Sequence, residues 1–243
     1  MSVKPLQSVQ RALEVLEAVA EHQPVGVGEL SRLLDSDKSA VQRILVTLHA
    51  SGWIRPAGGG PTAWELSTRP LILAGLSRRP SDLPARARPV LEELARSTGE
   101  TAMLALPDGG RIVAVDVVES SHQLRAAPGL GSVLPPAGSA AGIALFSAMD
   151  PDEIARYGVD PHDPVLVAAM EHTRERGWSL NAGAVTSEIT TVGAVVLDDL
   201  RRPAAALVVS APTSRLGPDR QETTGALVSA AAARLGGRRD RQP

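Results

Sequence analysis

Three short helical patterns, then two extended segments around a glycine-rich tip, occupy the first 67 residues, and this order constrains the chain most. Leu6, Val9, Leu13, Leu16 and Ala20 recur at spacings of three and four, with Arg11, Glu14, Glu17 and Glu21 between them. This predicts an amphipathic helix over 6–21 with one apolar stripe. Gln23-Pro24-Val25-Gly26 breaks the pattern. A second short helix follows, with Leu30, Leu33 and Leu34 apolar, and Asp35-Ser36-Asp37 offers caps for a third. Val41, Ile44, Leu45 and Leu48 form the buried face of that third helix, and Gly52 ends it. Strands are expected at 53–55 and 63–66, around the tip Gly58-Gly59-Gly60. The sum is a winged helix-turn-helix; a small helical domain with an added hairpin is the plainer alternative.

The third helix has two unlike faces. Opposite its apolar residues stand Lys38, Ser39, Gln42, Arg43 and Thr47. A helix in the major groove of double-stranded DNA needs this division, one face packing and the other presenting donors and acceptors to base edges. Arg43 matches guanine, Gln42 matches adenine, and Lys38 and Ser39 lie near the helix start, where phosphate is favoured. Arg55 in the first wing strand adds a phosphate contact. An ordinary solvated face is the competing reading, and the winged context favours DNA.

Beyond the wing the pattern changes. An apolar piece at 71–76, bounded by prolines, predicts a linker helix within 68–82, and a longer helix is expected over 84–97. Segments 101–106 and 111–118 are β-rich and joined by Pro107-Asp108-Gly109-Gly110, a hairpin signal. A third strand is expected at 123–126, helices at 139–149, 151–157 and 164–176, strands at 192–197 and 204–210, and a last helix at 218–235. Strands grouped at each end with helices between predict an α+β domain with an antiparallel sheet. The domains so read are 1–67, 68–82 and 83–238, with 239–243 a disordered tail.

Composition removes several classes. The absence of Cys excludes disulfides and thiolate sites. Five aromatics in 243 residues are too few for a platform that stacks single-stranded nucleic acid. The longest unbroken apolar run, 204–209, is far below the ~18 residues of a membrane span, and Met1 to Leu6 hold no apolar secretion core, so a cytoplasmic protein is expected. Residues 1–80 hold nine Lys or Arg and seven Asp or Glu, a net of +2 against -4 for the rest, so charge alone does not prove DNA binding. The five His residues lack paired metal spacing, and Asp160-Pro161-His162-Asp163 reads as a surface loop. Gly138-Ser139-Ala140-Ala141-Gly142 is not a nucleophile elbow, because its Ser is not central. No cofactor and no catalytic residue is expected.

Taken in order, several short motifs resemble the IclR family of bacterial transcription regulators. They begin with the run from Ser8 to Leu16, then Lys38-Ser39-Ala40-Val41-Gln42-Arg43, Ser51-Gly52-Trp53 and Thr98-Gly99-Glu100-Thr101. Val117-Val118-Glu119-Ser120, Leu124-Arg125, Arg176-Gly177-Trp178, Val209-Ser210-Ala211-Pro212 and Ser214-Arg215-Leu216 continue the match. The resemblance spans about Ser8 to Gly236. It implies an N-terminal DNA-binding domain and a C-terminal GAF-like effector domain, in a homodimer or a dimer of dimers. It also implies that Leu134, Ala140, Ala141, Asn181, Ile189 and Thr191 line the effector cavity. The chain departs from the family pattern at Ser36, Ala40, Ile143, Thr191 and the run Asn181-Ala182-Gly183-Ala184, where acidic residues are usual.

On physical grounds Ser139 can cap a helix starting at Ala140, and the small residues Ala140, Ala141 and Gly142 are expected to leave its N–H groups open to a carboxylate or other anion. In the cavity that the resemblance implies, Leu134 and Ile189 are expected as apolar walls, with Asn181 and Thr191 as polar fixing points. A small, largely apolar or weakly acidic organic effector is expected, and a packed core with a capped helix is the alternative. The function expected is a DNA-binding transcription regulator, a repressor, controlled by that effector. Other readings are an enzyme or sensor that uses its N-terminal domain only to dimerise, and a regulator answering to a protein partner.

Overall fold

The computed structural model describes residues 4–58, 63–77, 83–122 and 128–236. The chain divides between Arg79 and Pro80 into two compact units.

The first unit runs α1 (Gln7–His22), β1 (Val25–Gly26), α2 (Val27–Leu33), α3 (Lys38–Ala50), β2 (Ile54–Pro56), β3 (Ala63–Leu66) and α4 (Arg69–Ser77). Its first three helices and the wing strands follow the predicted order. Strand β1, unforeseen because two residues show no alternation, pairs antiparallel with β3, giving a small sheet in the order β1-β3-β2. The core joins Val15 and Val19 of α1, Leu30 of α2, Val41, Leu45 and Leu48 of α3, and Ile54 and Trp64 of the sheet.

The predicted α1 stripe needs correction. Val15, Ala18 and Val19 are the buried positions, whereas Leu6, Val9 and Leu13 are 71%, 53% and 54% exposed. Apolar residues occupy more than one side of this helix, and spacing cannot tell which side α3 will cover. In α4 too, Leu71, Ile72 and Leu76 are exposed. Its first turn is tied to the wing, with Arg69 stacked 5.6 Å over Trp53 and Ser67 Oγ donating to the Gly52 carbonyl.

The second unit runs α5 (Leu83–Thr98), β4 (Thr101–Asp108), β5 (Arg111–Val118), β6 (Val133–Leu134), α6 (Ala140–Phe146), α7 (Pro151–Ala155), α8 (Pro164–Arg176), β7 (Ser179–Ala182), β8 (Ile189–Leu197), β9 (Pro203–Pro212) and α9 (Pro218–Gly236). Six strands form one antiparallel sheet in the order β6-β5-β4-β9-β8-β7. The expected antiparallel α+β domain is thus observed, with β6 and β7 added to the strands read from the sequence. The strand expected at 123–126, the wing tip 59–62, residues 78–82 and the tail from 237 lie outside the described residues.

Alternation along the strands sends side chains to two layers. Ala102, Leu104, Val192, Leu207 and Val209 pack under α5 and α9. Met103, Ala105, Ala206 and Val208 face α6 and α8. Two glycines permit close approaches. A Cβ on Gly225 of α9 would lie 2.2 Å from the Trp178 ring, and one on Gly142 of α6 would lie 1.8 Å from the Pro136 carbonyl oxygen.

Candidate DNA-reading helix and effector cavity

Helix α3 starts where the sequence predicts. Asp37 is its N-cap, accepting from the backbone N–H groups of Ser39 at 3.0 Å and Ala40 at 3.1 Å, and from the Ser39 hydroxyl. The Ser39 hydroxyl first, then the Ala40 N–H, hold the Asp37 carboxyl below its ordinary range. All six residues proposed to meet DNA belong to this unit, and five of them, Lys38, Ser39, Gln42, Arg43 and Thr47, share the exposed side of α3. Their freedom differs. Ser39 already serves the cap, the Thr47 hydroxyl donates back to the Arg43 carbonyl at 2.9 Å, and Arg55 Nε donates to Glu65 Oε1 at 2.7 Å across β2 and β3. Lys38, Gln42 and Arg43 project from α3 without a side-chain hydrogen bond or ion pair among the described residues, although the Arg43 charge also helps to lower the Asp37 pKa.

The second unit contains a cavity of about 420 Å³ on the α6 side of the sheet. Leu134, Ala140, Ala141, Asn181, Ile189 and Thr191 all line it. They come from β6, α6, β7 and β8, so the fold assembles residues scattered over nearly sixty positions. Met103, Val208 and Ser210 of the sheet also line it and were missed, as were Pro128, Val133, Pro135, Val185 and Thr186. The β4–β9 ladder places Met103 opposite Val208, a pairing across about a hundred residues that no local pattern announces.

Two expectations about this cavity change. Ser139 does cap α6, its Oγ accepting from Gly142 N at 3.0 Å. Ala140, Ala141 and Gly142 are buried, however, and the Gly142 N–H is taken up by that cap. The smallness of Gly142 answers to the Pro136 carbonyl that crosses it rather than to an anion. Asn181, 5% exposed, donates from Nδ2 to the Gly138 carbonyl and accepts through Oδ1 from Ala184 N at 3.0 Å, so it holds two loops at the cavity. Thr191 and Ser210 sit opposite each other on β8 and β9, with hydroxyls uncommitted among the described residues.

Among the described residues no group of three His, Asp or Glu side chains could hold a metal. Asp160 and Asp163 are used locally, Asp160 Oδ1 accepting from His162 N and Asp163 capping α8. No helix among the described residues is long and apolar enough to cross a membrane.

Comparison with known proteins agrees with both units. Residues 8–58 match the IclR helix-turn-helix domain and residues 78–236 the bacterial transcriptional regulator IclR C-terminal domain. The chain is 28% identical to the acetate operon repressor of Salmonella typhimurium over 241 residues, covering 93% of this chain and 88% of that protein. It is 29% identical to the HTH-type transcriptional regulator BhcR of Paracoccus denitrificans, covering 95% and 86%. The fold is shared with the IclR transcriptional regulator of Alicyclobacillus acidocaldarius, with a TM-score of 0.80 at 21% identity over 96% of this chain and 98% of that one. It is also shared with the Thermotoga maritima IclR, with a TM-score of 0.71 at 20% identity over 94% and 97%. With a helix-turn-helix unit and a sheet-based effector unit both matched, the chain belongs to the IclR family of DNA-binding transcription regulators, which are not enzymes.

Proposed function

We propose that this regulator is a repressor whose α3 enters the major groove of its operator and whose DNA affinity is set by a small organic effector in the 420 Å³ cavity. The observation that carries the DNA reading is the division of α3: Val41, Leu45 and Leu48 are buried while Lys38, Gln42 and Arg43 stand exposed. Arg43 and Gln42 read bases, Lys38 and Arg55 meet phosphates, and Ser39 and Thr47 support them from the same face. Repression is supported by the names of similar proteins, the acetate operon repressor and the IclR repressor of Escherichia coli among them.

The effector is largely apolar and small. Met103, Leu134, Ile189 and Val208 wall the cavity, and Thr191 and Ser210 supply hydroxyls. Domains 1–67 and 83–238 divide the two tasks, with 68–82 transmitting between them. The working form is a homodimer, which the exposed apolar residues of α1 and α4 favour. Two reading helices then meet half-sites about 34–36 Å apart.

The test compares the wild type with Arg43→Ala on operator and random duplexes. Loss of operator affinity by about 5- to 150-fold, with random DNA little changed, is expected for a base-reading arginine. Equal loss on both duplexes refutes its base-reading role.

A further inference from the structure

All the large apolar side chains of α3 pack inward save one. Val41, Leu45 and Leu48 are buried, and Ile44 is half-buried against the same core. Val46 is 53% exposed and takes no part in that core. At roughly 100° per residue, Val46 lies about 130° round the helix from the centre of the buried trio, between Ser39 and Gln42 and about 60° from Arg43. It therefore stands within the outward face, one turn beyond Gln42 and Arg43. That turn advances about 6 Å along the axis, within two base-pair steps of the bases those residues meet. A β-branched residue on a solvated helix face is locally unfavourable, because its χ1 freedom is lost and no packing offsets that loss.

In the major groove such a side chain has a defined target. Thymine alone among the four bases presents a methyl group there, and polar readers such as Gln42 and Arg43 cannot sense it. We infer that Val46 reads a thymine C5-methyl in each half-site, so that α3 selects thymine over cytosine by apolar contact beside the positions read by hydrogen bonds. The inference rests on the placement of α3 in the major groove.

The experiment starts with selection of duplexes from a random pool by the full-length protein. Each consensus thymine is then replaced in turn by deoxyuridine, which removes only the methyl group, and Kd is measured by fluorescence anisotropy. One deoxyuridine per half-site removes two methyl groups from the dimer's operator and is expected to weaken wild-type binding about 15-fold, the equivalent of ~0.8 kcal/mol for each buried methyl group. Val46→Ala is expected to bind the thymine operator about as weakly and to ignore deoxyuridine at that position. Alanine is the better helix former, so folding is retained. Tolerance of deoxyuridine at every position, or an unchanged deoxyuridine penalty in Val46→Ala, overturns the inference. If Arg43→Ala still loses operator preference in those cases, the groove reading stands and only the thymine contact falls. A selection without consensus, or Arg43→Ala matching the wild type on every duplex, removes both.

Discussion

Glu100 and Arg215, 115 positions apart in the chain, form a two-pronged ion pair in the second unit, Nε to Oε1 at 2.6 Å and Nη2 to Oε2 at 2.7 Å. Glu100 is 2% exposed and the Arg215 side chain 25%. The carboxylate raises the Arg215 pKa further above its ordinary range. Arg220 braces the pair, donating to the Arg215 and Thr98 carbonyls. Removing one partner strands a buried charge, whereas removing both need not. Arg215→Met should cost about 3 kcal/mol in urea unfolding, the low end for a buried pair because water reaches the arginine. The double variant with Glu100→Gln should recover much of that loss. A double variant as unstable as the single one would refute this account.

The Asp37 cap carries a pH signature. Its folded-state pKa lies below the ordinary 3.8, so its contribution is present above 3.8 and is lost as pH falls through the depressed folded value. An asparagine in its place would cap about as well without titrating. The stability difference between the wild type and Asp37→Asn, measured by urea unfolding, should shrink as pH falls from about 6 to about 2.5. A difference constant over that range would show that the charge contributes nothing.

Lys38 should behave unlike Arg43. A phosphate contact is blind to sequence, so Lys38→Ala should weaken operator and random DNA alike. The log–log salt dependence of binding should become shallower by about 0.9 for each phosphate that is no longer neutralised. An unchanged slope would take Lys38 away from the backbone.

Gly225 answers to Trp178. A methyl group placed 2.2 Å from the indole must displace α9 or the ring. Gly225→Ala should therefore destabilise the second unit by about 1–3 kcal/mol, despite the better helix propensity of alanine. A more stable variant in thermal unfolding would mean that α9 has room to shift.

Ile189 offers a way to close the cavity. Ile189→Trp should abolish the Tm increase caused by any small molecule that stabilises the wild type, and leave DNA affinity in the absence of that molecule within about threefold. A retained Tm increase would place the effector elsewhere.

Much of this architecture was legible from local pattern. Asp37, the apolar spacing of Val41, Leu45 and Leu48, and the Pro107–Gly110 turn act through neighbours a few residues apart, and α3, β4 and β5 formed where those signals stand. Arg176-Gly177-Trp178 is similarly local, since Gly177 ends α8 with a φ of 81°. The side of α1 that is buried, the pairing of β4 with β9, and the place of Met103, Val208 and Ser210 in the cavity lining were not legible. Short-range backbone geometry and capping write the individual elements into the chain. Which faces meet depends on burial summed over distant partners, a quantity that exists only once helices and strands have packed.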